Sequence, residues 1–431
     1  MNQNPEQLAC DTIDADLLRS GWINQNKSTL NLNASLGGVI RDHQTNVGPA
    51  DYVLFVNRKP AGKCFLFFFC FTVTFLSGFS QQTGNVQGSS KPAKRRTENI
   101  VMIAMDGMRW QEIFTGVDTN IIRNSKFTKD ARDLQEKFWD TNVVERRKKL
   151  MPFFWTTIVE KGQLYGNRAY GNNVDVANPY KKTYPGFSET VTGNPDTAIR
   201  SNKLVKNENI NVLEFINQQK GYEGKVATFS TSELFPFVLN KWRNGLIVNA
   251  DQDSLPYNTP QMQMLNDMQR LSAKPIGERQ DLLSYFAGRE YLKTYHPKVL
   301  YIPMGETDAF AHKGLYDMYV GAVHAEDAMI ADMWALLQSM PEYKDKTTMI
   351  ITCDHGRGNV SNDEWIAHGA EIDNSESIWF AVIGPDTTPM GEVKTPMQIY
   401  QGQLAATMAE LLGFHFTAPQ KILPPIKTVV H

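Results

Sequence analysis

A chain of 431 residues, 42% hydrophobic and 21% charged, has the composition of a globular protein and is long enough for one large α/β domain or two domains. Its formal net charge of -2 offers no general basic surface for nucleic acid. The four cysteines match neither a zinc knuckle nor a disulfide framework.

The first 62 residues are polar and mixed. Residues 14–22 have the pattern of a short helix, and residues 50–56 have that of a buried strand. An abrupt change to apolar residues follows, so the sequence predicts that residues 1–62 are separate from the rest of the chain.

Residues 63–80 have the layout of a secretory signal. Lys59 and Lys63 precede the apolar residues 64–76, and small residues follow, so cleavage after Ser80 is expected. The run is shorter than the ~20 residues of a membrane span. It predicts a periplasmic or secreted protein that contacts a membrane transiently through residues 64–79, although the segment is unusually internal. Residues 81–97 are polar, contain Gly, Ser and Pro, and are predicted to be a linker.

From Glu98 onward the chain alternates between strand and helix patterns. The apolar run 98–105 predicts a central parallel strand, and Asp106-Gly107 follows it, where open α/β sheets place their ligands. An ordinary Asp-Gly turn is the alternative interpretation. Together these patterns predict a mostly parallel central sheet with helices on both faces.

A hydroxyl-rich stretch at residues 181–193 contains a Pro-Gly pair and then has a helical pattern. Thr183, just before this turn, is placed to direct its hydroxyl at an anion over the helix N-terminus. A plain N-cap role is the alternative for such a threonine.

Two further groups of acids and histidines follow buried strands. Asp308 and His312 come after the strand at 298–304 and are four residues apart, a spacing that puts both on one helix face. Asp354 and His355 come directly after the strand at 347–352, and His368 lies thirteen residues later. An Asp/His pair on a helix is often only solvated, whereas adjacent Asp and His residues at a strand end can bind one metal together.

Taken in order, these motifs resemble the alkaline phosphatase superfamily, and its nucleotide pyrophosphatase/phosphodiesterase branch in particular. The resemblance covers residues 98–431. It rests on the following motifs: Asp106-Gly107 after a strand, Lys182-Thr183-Tyr184-Pro185, Asp308-x-x-x-His312, Thr352-Cys353-Asp354-His355-Gly356 and His368-Gly369.

The resemblance implies a two-zinc hydrolase of phosphate esters, with other divalent metals also suited to the ligands. Asp308, His312 and His368 would hold one zinc ion, and Asp106, Asp354 and His355 the other. Thr183 would be the nucleophile, would contact the second zinc ion, and would form a phosphothreonine intermediate. Asn202 would hold a phosphoryl oxygen, with Asn207 as a substitute.

The substrate is expected to be a small-molecule phosphate ester, either a diester or a monoester. Monoesterases of this superfamily add cations for the extra phosphate charge; the candidates are Lys182, Arg200, Lys203, Lys241, Arg243 and Arg357. The sulfatase motif Cys/Ser-x-Pro-x-Arg is absent, which leaves sulfate esters as a side activity. A catalytically silent metal-binding protein of the same fold remains an alternative.

Residues 1–62 resemble the start of the nuclease domain in type I restriction enzyme R subunits. In that family the Asp of an Ala-Asp-Tyr motif, here Asp51, binds a metal together with a following Glu-x-Lys. The Glu-x-Lys is missing here. We therefore predict a truncated fragment without nuclease activity, and no nucleic-acid partner.

Overall fold

The structure is a computed structural model that describes residues 95–256 and 258–430, together with four strands nearer the N-terminus. Those strands are β1 (Ile23–Gln25), β2 (Gly37–Thr45), β3 (Gly48–Val56) and β4 (Lys59–Cys64), in that order in one sheet. The predicted strand at residues 50–56 falls within β3. The predicted helix at 14–22, the apolar run beyond Cys64 and the side chain of Asp51 lie outside the described residues.

A second compact unit contains an eight-stranded sheet. Its strands are β5 (Asn99–Met105), β6 (Gln163–Tyr165), β8 (Val226–Ser230), β9 (Ile247–Ala250), β10 (Val299–Met304), β11 (Thr347–Thr352), β13 (Phe380–Ile383) and β14 (Gly391–Glu392). They are arranged in the order β14-β6-β13-β11-β5-β10-β8-β9. The five strands from β11 to β9 are mutually parallel, and β13 is antiparallel to both of its neighbours. The predicted mostly parallel sheet is thus confirmed.

A smaller sheet of three strands accompanies it, in the order β12 (Ser377–Ile378), β7 (Asn172–Asp175), β15 (Met397–Tyr400). The sequence pattern predicts one strand over residues 377–385. The structure instead divides that segment between two sheets, with Trp379 at the break. The Trp379 indole Nε1 donates to the Met108 carbonyl (3.1 Å), so its side chain is anchored beneath the turn after β5.

The helices of this unit lie between the strands in sequence. They are α1 (Trp110–Thr115), α2 (Thr119–Ile122), α3 (Ala131–Phe138), α4 (Val143–Leu150), α5 (Val159–Lys161), α6 (Thr183–Thr192), α7 (Val212–Asn217), α8 (Phe235–Val238), α9 (Lys241–Asn244), α10 (Pro260–Leu271), α11 (Asp281–Tyr295), α12 (Glu306–His312), α13 (Tyr316–Ser339) and α14 (Gln403–Leu411). A π-helical turn at Phe154–Ile158 precedes α5. Within the described residues, no helix is both long enough and apolar enough to span a membrane.

The central strands end together at one edge of the large sheet. Strand β5 is buried at every position, as are β10 and β11 on either side of it. Met304 pairs with Met105, and Thr352 pairs with Ala104, so the three strands finish within one residue of each other. Because parallel strands bring their carboxyl ends to the same edge, the acids that follow them meet there.

Candidate active site

The first group of candidate ligands, called the inner group below, is Asp106, Asp354 and His355. Asp106 follows β5, while Asp354 and His355 follow β11. His355 Nε2 lies 3.4 Å from Asp106 Oδ1 and 3.3 Å from Asp354 Oδ2. All three residues are almost completely buried, so the inner group is enclosed by the fold.

The second group, called the outer group, is Asp308, His312 and His368. Asp308 and His312 are one turn apart on α12, and Asp308 Oδ2 lies 3.3 Å from His312 Nε2. The loop after β11 brings His368 to them, with its Nε2 2.9 Å from that of His312. The His312 side chain is 46% exposed, so this group opens toward solvent.

Backbone carbonyls fix the orientation of two of the histidines. His355 Nδ1 donates to the Gly356 carbonyl (3.0 Å), and His368 Nδ1 donates to the Lys181 carbonyl (2.8 Å). A carbonyl oxygen can only accept, so the ring proton is on Nδ1 in both residues. Each Nε2 therefore presents a lone pair to its group, as a metal ligand must.

The inner group leaves three buried polar atoms without a hydrogen-bond partner. They are Asp106 Oδ1, Asp354 Oδ2 and His355 Nε2, and they face one another at the distances given above. Buried polar atoms are rarely unpaired, and three converging electron-pair donors repel unless a cation or proton lies among them. The mixed carboxylate and imidazole donors suit zinc. The residues thus fit a divalent metal in each group.

Burial and mutual repulsion set the protonation of the acids in the metal-free protein. Burial, with the nearby charge of Asp308, raises the pKa of Asp106 well above its usual range. Burial and Asp106 do the same to the pKa of Asp354. Burial, with His355 beside it, lowers the pKa of His368 to about 2, so its ring is neutral and ready to bind a metal.

Thr183 lies at the start of helix α6, and its side chain faces the same cavity as Asp106 and Asp308. Lys182, not Thr183, occupies the N-cap position, and among the described residues the Thr183 hydroxyl has no hydrogen-bond partner. The N-cap interpretation is therefore wrong. Thr183 is only 6% exposed, so a ligand can reach its hydroxyl only from the cavity.

Two glycines allow the elements of the site to approach closely. A side chain at Gly186 on α6 would place its Cβ 2.3 Å from the Asp354 carbonyl oxygen. At Gly107, which has a positive φ of 57°, it would lie 2.7 Å from Asp308 Oδ1. Gly186 thus lets the helix that carries Thr183 contact the end of β11, and Gly107 lets the two groups meet.

Asn202 lies in the long loop after α6 and lines the same cavity. Its side-chain oxygen accepts a hydrogen bond of 2.9 Å from the backbone N–H of Tyr184. Its amide nitrogen is then free to donate to a group above Thr183. Asn207, the substitute considered from the sequence, instead donates to the buried Ser188 hydroxyl (2.8 Å) and does not line the cavity.

The cavity has a volume of about 440 Å³ and includes residues that no sequence motif indicates. Glu278 is one of them, held by a hydrogen bond of 2.8 Å from the Ser232 hydroxyl. Burial raises the pKa of Glu278 to about 6, so this acid is ionised at neutral pH. The loop around it has no strand or helix pattern, and nothing in the sequence marks it.

The cations proposed for extra phosphate charge do not line this cavity. Arg357 is fully buried and bonds to Asp308 and backbone carbonyls, and Arg243 pairs with Glu214. Arg200 and Lys203 line a neighbouring cavity of about 410 Å³, beside Tyr184. Lys313 is the one cation among the described residues that line the cavity, and its amine donates to the Pro275 carbonyl.

A network around residue 178 supports both Thr183 and His368. The buried carboxylate of Glu189, on α6, accepts from the backbone and side chain of Asn178. Asn178 Oδ1 accepts from the backbone N–H of Lys181 (2.9 Å), whose carbonyl receives His368. Lys181 has a positive φ of 48°, and its amine pairs with Glu376. Helix α6 and His368 of the outer group are therefore linked through one hydrogen-bond network.

The model of the family described as type I phosphodiesterase / nucleotide pyrophosphatase matches residues 115–411 of this chain. The matched range includes Thr183, Asn202, the whole outer group and two members of the inner group. Asp106 precedes it. No curated protein matches the chain in sequence.

Solved structures show the same fold. The crystal structure of wild-type alkaline phosphatase PafA matches with a TM-score of 0.54 and 10% sequence identity, covering 79% of this chain and 100% of that one. The lipoteichoic acid synthase LtaP from Listeria monocytogenes matches with a TM-score of 0.50 and 12% identity, covering 79% of each chain. At such low identities the likeness shows the fold alone.

Proposed function

The chain belongs to the type I phosphodiesterase / nucleotide pyrophosphatase family, a family of phosphoric ester hydrolases, and from this premise we propose that it is a two-zinc phosphodiesterase with Thr183 as its nucleophile. The observation that carries the proposal is that members of both ligand groups line one cavity together with the Thr183 hydroxyl: Asp106 of the inner group, and Asp308 and His312 of the outer group. Phosphoryl transfer between a threonine and a leaving oxygen needs this combination.

The inner and outer groups would each hold one divalent cation. When bound, the cations supply positive charge that favours the ionised threonine hydroxyl and the departing alkoxide or phenoxide. The chain itself positions the groups that react. Helix α6 places the Thr183 oxygen in the cavity, and the Asn202 amide donates to a phosphoryl oxygen.

The reaction then has two displacements at phosphorus. The Thr183 oxygen forms a bond to phosphorus while the bond to the leaving oxygen breaks, which gives phosphothreonine and the first product. Water attacks phosphorus next, the bond to Thr183 breaks, and the threonine recovers its proton. Because Thr183 is buried apart from the cavity, the substrate must approach it from the cavity side, and in-line displacement is the geometry expected for each step.

The charge of the cavity favours diesters over monoesters. A monoester carries a second negative charge near neutral pH, whereas a diester carries one. Within the part of the chain that the structure describes, Lys313 is the single lining cation, and its amine already donates to a backbone carbonyl. Glu278 adds a negative charge to the cavity wall. Like charges in a partly buried site repel, which penalises the doubly charged substrate.

A comparison of two chromogenic substrates tests the proposal. With zinc present, kcat/KM for bis-(4-nitrophenyl) phosphate should exceed that for 4-nitrophenyl phosphate. Glu278→Gln should raise the monoester-to-diester ratio by about tenfold, because it removes one repulsive charge. A preference for the monoester in the wild-type enzyme would refute diester specificity. No turnover of either substrate, with two zinc ions bound, would refute the hydrolase mechanism.

A further inference from the structure

A buried guanidinium stands beside the ligand groups. Arg357 follows the Asp354-His355-Gly356 sequence and is 1% exposed. Its Nε donates to the Gly107 carbonyl (3.1 Å), and its Nη1 donates to the Trp365 carbonyl (3.4 Å). Its Nη2 donates to the Asp308 carbonyl (3.1 Å) and to Asp308 Oδ1. All three guanidinium nitrogens thus donate hydrogen bonds, and these bonds hold the guanidinium away from the substrate cavity.

The two oxygens of Asp308 have different neighbours. Oδ2 lies 3.3 Å from His312 Nε2, on the outer side. Oδ1 lies 3.6 Å from His368 Nε2 and 3.8 Å from His355 Nε2, so it stands between the outer and inner groups. The His355 and His368 rings are stacked there, with centroids 3.7 Å apart. An unrestrained Oδ1 in this place could coordinate the inner metal while Oδ2 coordinated the outer one.

We propose that Arg357 is a positioning residue that restricts Asp308 to the outer metal. By occupying Oδ1, it prevents this carboxylate from bridging the two groups and keeps the space between them free for the Thr183 oxygen and the phosphoryl group. The inference rests on the two-metal part of the proposed function. It concerns only which carboxylate oxygen of Asp308 is free to coordinate a metal.

The residues around Arg357 provide both space and hydrogen-bond acceptors for its guanidinium. Gly107 has no side chain, and a Cβ there would lie 3.1 Å from Arg357 Nη2 and 2.7 Å from Asp308 Oδ1. A guanidinium presents several donors in a rigid plane, which suits three carbonyl or carboxylate partners on different elements. Arg357 Nη2 donates directly to Asp308 Oδ1, so the guanidinium occupies this oxygen.

Replacement of Arg357 should lower kcat without weakening zinc binding. In Arg357→Met, Asp308 gains freedom to bridge and a positive charge near the metals is lost. Both effects favour zinc, so the zinc dissociation constants should stay equal or fall. The zinc–zinc distance measured by X-ray absorption should shorten, and kcat should fall by about 10- to 100-fold, the usual effect of losing a group that orients a ligand. Arg357→Lys keeps the charge and should recover part of the wild-type distance and kcat.

Arg109→Gln is the matched control, since Arg109 is equally buried but pairs with Glu112 and Asp118 rather than with a ligand. It should lower thermal stability without changing the zinc–zinc distance. An unchanged zinc–zinc distance in folded Arg357→Met would overturn the inference.

The zinc-loaded wild-type crystal structure decides the matter even where the variant fails to fold. A hydrogen bond between Asp308 Oδ1 and Arg357 in that structure would support the inference. Coordination of the inner zinc ion by Oδ1 would overturn it. A wild-type protein that binds fewer than two zinc ions would instead overturn the two-metal proposal, so the two failures are distinguishable.

Discussion

The side-chain oxygen of Asn202 accepts a hydrogen bond of 2.9 Å from the backbone N–H of Tyr184, the residue that follows Thr183. This bond fixes the orientation of the Asn202 amide, because a backbone N–H at the start of α6 can donate only to the amide oxygen. The amide nitrogen is left for the cavity. Asn202 therefore holds the backbone of Tyr184, and in the proposed mechanism its amide nitrogen donates to the substrate.

Replacement of Asn202 by alanine should lower kcat by about 10²- to 10³-fold, the usual loss when one donor to a developing oxyanion is removed. Because Asn202 is exposed apart from this bond, the melting temperature should change little. Steady-state kinetics with the diester and thermal denaturation measure the two effects.

Asn207→Ala provides the contrast with Asn202→Ala. Asn207 is buried and donates to Ser188, so its loss should reduce the free energy of unfolding by about 1–3 kcal/mol and leave kcat close to that of the wild type. A reversed result, with Asn207→Ala impairing kcat and Asn202→Ala harmless, would reassign the donor.

Thr183→Ala should reduce turnover by about three orders of magnitude or more, because it removes the proposed nucleophile. The two zinc ions should remain bound, since each ligand group keeps its three acid and histidine residues, and elemental analysis would count them. Thr190→Ala serves as the control in the same helix. The Thr190 hydroxyl donates to the Gly186 carbonyl (3.0 Å), so turnover should persist. A fully active Thr183→Ala enzyme would exclude the threonine mechanism.

Zinc binding should release protons and strengthen as the pH rises. Asp106 and Asp354 have raised pKa values in the metal-free protein, chiefly because they are buried. Below those pKa values they hold protons that zinc must displace, and above them this competition disappears. Calorimetry at pH 6 in two buffers of different ionisation enthalpy would count the protons. Identical binding heats in the two buffers would show that the carboxyls are already ionised.

Gly186→Ala should separate the nucleophile from the inner group. The added Cβ would meet the Asp354 carbonyl oxygen at 2.3 Å, so α6 must move away from β11. A displacement of about 1 Å can cost 10²-fold in rate, and the overpacking should cost about 1–3 kcal/mol in stability.

Gly321→Ala is the control for a glycine replaced in a helix. Gly321 lies on the exposed side of α13, and a Cβ added there would meet no atom within 4 Å. The substitution should therefore be neutral or stabilising by about 0.5–1 kcal/mol. Equal kinetics for Gly186→Ala and the wild type would show that the contact with β11 does not position Thr183.

The strands and the ligand spacings could be predicted because they are local. Continuous apolar runs before Asp106 and Asp354 predicted the buried strands β5 and β11, and four-residue spacing predicted that Asp308 and His312 share a helix face. The parallel arrangement then brings the strand ends together. The membership of each ligand group, in contrast, was implied by the resemblance to the alkaline phosphatase superfamily, and the structure brings the same residues together.

Other features depend on contacts between distant segments. No local pattern shows that Glu278 would enter the cavity, or that Lys181 would turn its carbonyl to His368. Arg357 is an instructive case. As an isolated cation it suggests a phosphate ligand, but the packing of Gly107 against α12 draws it into the protein interior. The break at Trp379 likewise depends on its bond to Met108.

The ligands of each group are widely separated along the chain, and this affects when a metal can first be bound. The inner group joins Asp106 to residues 248 and more positions later, and the outer group is incomplete without His368. In the proposed two-metal enzyme, neither group could therefore bind its metal before the segments that follow β5, β10 and β11 have all been synthesised and brought together.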